Sequence, residues 1–294
     1  MEKDRDYKLL LCCPSGLSAS QVSVVLDQSF DRIQHPDIEL ENSIATIWDQ
    51  RVAKNASLFN GKKFRYGGYN LVSEGGTNQD SHVCLHLGLT DYRAFVGTNL
   101  NPLWEKFLVP SEDDPTQCQH TSSPLGNGAI VETSDRKIIL LQRSHNVGEF
   151  PGYFVFPGGH PEPEEAGIES HQSSKDLSAS GLINKKASLE MFESIIREVV
   201  EEIGVPASSL CDPVFIGISR RVLNVRPGAF FFIKCSLHSD EIKQLYSSAQ
   251  DGYESTQLCA VSLVDLENMA SKMPGCHQGG FALYKLMVEA SRNV

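Results

Sequence analysis

The chain has 294 residues, 40% of them hydrophobic and 21% charged, a globular balance that excludes collagen-like, coiled-coil and broadly disordered architectures. With 26 Lys+Arg against 37 Asp+Glu the formal net charge is −11, which argues against a nucleic-acid partner, whose phosphates need a basic face, and against an anionic membrane surface. Small anionic ligands stay open, because a bound divalent cation reverses the local sign of a site.

Residues 7–13, YKLLLCC, predict a short buried strand closed by the Pro14-Ser15-Gly16 turn. Ser18 or Ser20 caps a predicted helix with Val22, Val25 and Leu26 on its apolar face. A second helix is predicted over about residues 40–54, where Ile44, Ile47 and Trp48 fall at helical spacing. Residues 62–72 and 81–89 alternate like two strands around a loop at Gly75 and Gly76, and residues 91–99 read as a helical turn running into a loop. The chain turns polar between Pro110 and Pro124. That marks the expected boundary between an amino-terminal α/β domain, 1–122, and a second domain, 123–294.

Beyond the boundary, residues 126–132 and 137–143 predict a hairpin, and 153–156 a short strand. The polar, Ser-rich stretch from 161 to 187 reads as an exposed, mobile insertion. Residues 189–203 predict an amphipathic helix, with Leu189, Phe192, Ile196, Val199 and Ile203 on one face. Strands near 214–219, 229–237 and 256–262 and a helix near 280–290 complete a strand-rich α+β unit. The eight cysteines include no C-x-x-C pair and no zinc-spaced Cys/His cluster, so reduced thiols in the cytoplasm are expected. Met1-Glu2-Lys3-Asp4-Arg5-Asp6 is too polar for a secretory or transit signal, and no apolar run approaches the ~20 residues of a membrane span.

The stretch richest in chemistry is Arg197-Glu198-Val199-Val200-Glu201-Glu202-Ile203-Gly204-Val205. On a helix Glu198 and Glu202 share a face, with Glu201 beside them. Three carboxylates so close repel one another, and Arg197 is the nearest cation in sequence. Hard divalent cations take oxygen ligands of this kind, commonly together with substrate phosphates. The alternative is a solvated acidic helix face. Upstream, Phe156-Pro157-Gly158-Gly159-His160 ends a strand in a tight Gly-Gly turn, where backbone approaches a ligand closely.

Together these segments resemble the Nudix box, G-x5-E-x7-R-E-U-x-E-E-x-G-U, with U a bulky apolar residue. Gly159 and Glu165 match its first half; Arg197, Glu198, Val199, Glu201, Glu202, Gly204 and Val205 match its second. The middle departs from the pattern, with residues 166–196 standing where seven are usual, so the insertion is expected at about 166–187. Glu165 is the expected partner of Arg197, with Glu190 or Glu193 as alternatives. The resemblance implies a Nudix-type α/β/α sandwich with a mixed sheet, and Mg²⁺ (or Mn²⁺) held by Glu198, Glu202 and Glu201. It also implies hydrolysis of a nucleoside diphosphate linked to a second moiety.

The amino-terminal half, through Trp48, Phe59, Phe64-Arg65 and residues 89–99, and then Pro157 to Pro163, is similar to the uridine diphosphate glucose pyrophosphatase branch of that family. The branch implies a nucleotide-sugar substrate, UDP-glucose or UDP-galactose, cleaved to UMP and hexose 1-phosphate. Arg143, at the end of a predicted strand, is a candidate diphosphate clamp, because guanidinium matches phosphate geometry. His160 and Glu162, just past Gly159, are candidates to contact phosphate, metal or sugar, and Tyr92 and Phe59 to flank the uracil. Residues 140–159 are also loosely similar to the segment upstream of the box in coenzyme A diphosphatases. That leaves a coenzyme A or ADP-ribose type diphosphatase, and a non-catalytic Nudix-fold binding protein, as the rival readings.

Overall fold

The computed structural model describes residues 6–56, 58–73, 81–145, 149–171, 177–251 and 255–292. In chain order the strands are β1 (Tyr7–Leu17), β2 (Val22–Leu26), β3 (Lys62–Ser73), β4 (Ser81–Asp91), β5 (Gly126–Glu132), β6 (Ile138–Arg143), β7 (Phe154–Val155), β8 (Val214–Arg221), β9 (Pro227–Lys234) and β10 (Ser255–Val261). The helices are α1 (Ile38–Lys54), α2 (Tyr92–Gly97), α3 (Asp114–Gln117), α4 (Leu177–Ile203), α5 (Ser239–Tyr246), α6 (Leu263–Met269) and α7 (Gly275–Arg292). A seven-stranded sheet runs β1-β8-β9-β5-β6-β10, with β7 paired to β6, and a three-stranded sheet runs β2-β4-β3. The pairs β5/β9 and β2/β4 are parallel and the others antiparallel, so both sheets are mixed.

Alternation along the central strands builds two cores, because successive side chains leave opposite faces of a sheet. Ala129 and Val131 of β5, Ile139 and Leu141 of β6 and Phe231 and Ile233 of β9 pack on one face with Val199 and Ile203 of α4. Their neighbours Ile130, Ile138, Leu140 and Phe230 pack on the other with Phe281, Leu283 and Tyr284 of α7. The result is the expected α/β/α arrangement in the α+β class. Among the described residues no helix is long and apolar enough to cross a membrane.

The structure adds to or departs from these expectations in the amino-terminal half and in the box insertion. Val22–Leu26 is a strand, not part of a helix; Val22, Val24 and Leu26 are buried in alternation as the segment pairs with β4. The boundary at 122/123 does not follow sheet membership. The apolar run of β1 satisfies its backbone on β8, inside the sheet of the second half, and α7 packs against it. The polar stretch before Pro124 is tied into the fold. The buried Arg65 guanidinium donates to the carbonyls of Thr121 (3.1 Å), Cys118 (2.9 Å) and Phe30 (2.7 Å) and draws that stretch into the interior. Finally, the box insertion is in part helical. α4 begins at Leu177, and its Asn184 and Ser188 side chains each accept a bond of 2.9 Å, from the N–H groups of Leu26 and Val24 on edge strand β2. An edge strand otherwise leaves such donors open.

Smaller differences concern pairing. β5 and β6 meet only at Glu132 and Ile138, because the long partner of β5 is β9. The loop at Gly75 and Gly76 lies outside the described residues.

Candidate active site

The end of α4 and the loop after β7 meet through glycine. Gly204 closes the helix at φ +75°, and its N–H donates to the Val200 carbonyl at 2.9 Å. Only glycine adopts that left-handed conformation without strain, and a Cβ there would stand 2.7 Å from the Leu245 carbonyl oxygen. The Gly158–Gly159 loop is stitched to β5, where Asn127 N–H donates to the Gly159 carbonyl (3.0 Å) and Ala129 N–H to that of Pro157 (2.8 Å). Asn127 Oδ1 in turn accepts from Gly159 N–H at 2.8 Å. A Cβ would fall 2.4 Å from the Asn127 carbonyl oxygen at Gly158, and 2.1 Å from Glu198 Oε1 at Gly159. Glycine therefore lets two carboxylates of α4 rest on loop backbone. Gly158 N–H donates to Glu202 Oε2 at 2.7 Å, and His160 N–H to Glu198 Oε1 at 3.2 Å.

Burial pushes the Glu198 carboxyl up to about 7, and the charges of Glu201 and Glu162 push the same way; the His160 N–H and Arg197 oppose them. Such a carboxylate favours a cation nearby, and Glu198, Glu201 and Glu202 supply the oxygen donors that hard divalent ions take. Among the described residues, however, no three His, Cys, Asp or Glu side chains converge as a ready metal shell. Glu198 and Glu202 are turned to the loop, and Glu201 lines an adjoining apolar groove.

Arg197 pairs with Glu190, not with Glu165. Its Nη2 donates to Glu190 Oε1 at 2.7 Å, and the same oxygen accepts from Glu162 N–H at 3.0 Å. Glu190 is 3% exposed. Glu165 sits exposed in the turn before Gly167, where its charge acts on Glu190 and Arg197 without a bond among the described contacts. Glu190 stands two turns before Arg197 on α4, so the two side chains share one face of the helix.

Beside the loop opens a cavity of about 260 Å³ whose walls come from both halves of the chain. Arg51 of α1, Lys63 of β3, Arg143 of β6, Arg221 of β8 and Arg226 line it, against the acidic side chains Glu149 and Glu202. A strongly acidic protein thus keeps a cationic pocket. Lys63 forms an ion pair with Glu162, and Glu149 accepts from Arg221 and from Arg226 Nη1 (3.0 Å for the latter). Arg226 Nη2 lies 2.7 Å from His160 Nε2. A guanidinium only donates, so that nitrogen is the acceptor and His160 is neutral. Burial first, then Arg226 and Lys63, hold its pKa well below the ordinary imidazole value. His277, on the same wall, accepts at Nδ1 from Phe156 N–H (3.2 Å) and is pushed down to about 3 by burial and then by Arg143, Arg226 and Arg221.

Of the expected site residues, Gly159, His160, Glu202, Arg143 and Tyr92 border this cavity. Glu198 touches its loop, and Glu162 reaches it through Lys63. Tyr92 follows Asp91, which caps α2 by accepting from Ala94 N–H at 2.7 Å, and its ring is steadied edge-on by Trp48 at 6.0 Å. Phe59 is not among the residues that line the pocket; it is 73% exposed in the loop between α1 and β3. Asn127, Glu149, Arg226, Lys63 and His277 were not singled out from the sequence. Three arginines within residues 220–226 of so acidic a chain were the available signal for part of that group.

No protein-family model matches the chain. The chain belongs to the Nudix hydrolase family: over 288 residues, 98% of its own length and 93% of the relative's, it is 65% identical to Nudix hydrolase 9 of Arabidopsis thaliana. It is therefore an enzyme that hydrolyses nucleoside diphosphate derivatives. It is also similar to the proteins named uridine diphosphate glucose pyrophosphatase NUDT22 of Mus musculus and Homo sapiens. The identities are 34% and 32%, over 96% of this chain and 91% and 93% of theirs. Among solved structures, the MutT protein of Methanosarcina mazei Go1 aligns with a TM-score of 0.36 at 19% identity, covering 56% of this chain and 94% of that one.

Proposed function

We propose that this enzyme hydrolyses the diphosphate bond of a nucleotide sugar, UDP-glucose or UDP-galactose, to UMP and hexose 1-phosphate. One observation carries the reading: Glu198 and Glu202 rest on the Gly158–Gly159 loop at the edge of a cavity whose other wall is cationic. The names of the mouse and human relatives support the substrate class. Tyr92 offers a base an aromatic face, and Arg143 offers the diphosphate a charged fork.

Nudix hydrolases generally need divalent metal ions, typically Mg²⁺. Glu198 and Glu202, with Glu201 beside them, would hold Mg²⁺ or Mn²⁺ here; such an ion screens the diphosphate and lowers the pKa of a bound water. The chain's own residues do the rest. Glu190 ties the helix face to the loop by accepting from Glu162 N–H, and Arg197 on the same helix neutralises it. The cationic wall orients the diphosphate and takes up the charge that develops on the departing phosphate. Water adds to one phosphorus as its bond to the bridging oxygen breaks, and a carboxylate of α4 accepts the water's proton. The eight unpaired cysteines suit a reducing compartment, and on that ground we assign the enzyme to the cytoplasm.

The test is Mg²⁺-dependent release of UMP from UDP-glucose, measured beside coenzyme A and ADP-ribose. UDP-glucose is expected to turn over fastest. Activity confined to coenzyme A or ADP-ribose would overturn the substrate, and no turnover of any of the three would sink the reading.

A further inference from the structure

Among the described residues, the non-glycine positions with positive φ are Ser123, Arg136, Phe150, Asn224 and Val225. All but Arg136 gather around one cavity. Phe150 lines it, Ser123 precedes its Pro124, and Asn224 and Val225 lead directly into Arg226. A β-branched residue at φ +47° is the least tolerated of these, and strain of this kind persists only where the surroundings over-determine it.

The surroundings do so at the turn of residues 222–225. Asn99 Nδ2, fully buried on the amino-terminal side, donates to the Asn224 carbonyl at 2.8 Å, while its Oδ1 accepts from Ser123 N–H at 3.0 Å. Arg221 Nε donates to Asn224 Oδ1 (2.6 Å) and to the Leu223 carbonyl (3.1 Å). Arg221 also borders the cavity, but at 2% exposed it is taken up by the turn and by Glu149. Arg226, by contrast, emerges on the cavity wall. Glu149 receives Nη1, His160 receives Nη2, and the ring of Phe95 lies 5.4 Å from Cζ. His160 N–H in turn donates to Glu198. The guanidinium therefore stands one residue away from the carboxylate face of α4.

We propose that Arg226 clamps the diphosphate of the substrate, and that Asn99 and Glu149 are positioning residues that keep the strained turn aimed. The inference rests on the nucleoside-diphosphate reading above and singles out, within the cationic wall, the guanidinium that grips the diphosphate and the residues that aim it. It also gives the amino-terminal half a role in phosphate binding, through Asn99.

The experiment uses the full chain and inorganic pyrophosphate as probe, with affinity measured calorimetrically in Mg²⁺ and UDP-glucose hydrolysis measured separately. Arg226→Gln is expected to weaken pyrophosphate binding ~10-fold or more, the loss of a charge-assisted bond. Arg226→Lys, which keeps the charge but not the fork, should keep part of the affinity. Val225→Gly admits the positive φ without strain but deletes a buried side chain, so the protein should unfold at a somewhat lower temperature, stay folded at the assay temperature and bind pyrophosphate several-fold more weakly. A purely structural turn would leave that affinity unchanged. In the Arg226→Gln background, Val225→Gly and Asn99→Ala should weaken binding no further, because positioning residues act only through Arg226. Wild-type affinity in Arg226→Gln, equal losses with and without Arg226, or no pyrophosphate binding by the wild type would overturn the proposal. Arg226-dependent binding without hydrolysis of UDP-glucose would uphold the clamp and remove the substrate reading instead.

Discussion

The acidic face of α4 and the cationic wall of the pocket beside it are built in opposite ways. Glu190, Glu198, Glu201 and Glu202 lie within residues 190–202 of the single helix α4, whereas Arg51, Lys63, Arg143, Arg221 and Arg226 arrive from α1, β3, β6, β8 and the turn before β9. Helical spacing forces the carboxylates together, so their repulsion has to be relieved by other groups, the loop N–H groups from outside the helix and Arg197 on the helix itself. The dispersed cations arrive with counter-ions instead: Glu162 for Lys63, and Glu149 for Arg221 and Arg226. The acidic face thus keeps charge that a bound cation can satisfy, while the cationic wall holds its guanidiniums pre-oriented.

The largest effect is expected on the acidic face. Glu198→Gln or Glu202→Gln should lower Mg²⁺-dependent turnover about a thousandfold, the worth of several kcal/mol of metal-assisted catalysis, while the circular dichroism spectrum stays that of the wild type. Near-normal rates in both would mean that this face holds no catalytic ion. Next comes the brace behind it. Glu190→Ala should cost about 2 kcal/mol in denaturant unfolding, because it removes the charged partner of Arg197 and an acceptor for Glu162 N–H. Glu165→Ala should stay within about 0.5 kcal/mol, as exposed positions do. A reversed order would restore Glu165 as the partner.

On the cationic wall, His277 gives a comparable effect with a pH signature. An unfolded chain protonates this imidazole near its ordinary value of about 6.5, but the folded pocket holds it neutral down to about 3. Its contribution is complete above pH 6.5 and shrinks as the pH falls, by on the order of 2 kcal/mol between pH 8 and pH 5. His277→Gln should flatten that part of the stability profile, and parallel wild-type and variant profiles would show that the wall does not act on it. Smallest is the contact at the far end of α4. Asn184→Ala leaves Leu26 N–H without its acceptor and should cost about 1 kcal/mol with little change in turnover. A large loss of activity there would tie the insertion to the chemistry.

The readable part of this molecule was its short-range pattern. Residues 189–203 announced a helix with Glu198 and Glu202 on one face, and Gly158, Gly159 and Gly204 marked places where backbone must come close. The spacing of the box pointed to Glu165 for Arg197, with Glu190 as an alternative. Residues 189–203 already put Glu190 and Arg197 two turns apart on one helix, but only the packing of the loop at Glu162 on Glu190 shows which glutamate lies beside Arg197. Residues 22–26 are too few for periodicity to choose between helix and strand. Their pairing with β4, and the caps from Asn184 and Ser188, decided it.

Alone, then, the sequence determined which side chains share a helix face and where glycine opens the backbone, because those properties depend on neighbours within a few residues. Only the tertiary structure decided that β1 joins β8, that Glu190 of α4 meets the loop at Glu162, and that Arg51, Lys63 and Arg226 face one cavity. Each of these depends on the register between segments far apart in the chain, which burial and backbone pairing settle together and no local spacing encodes.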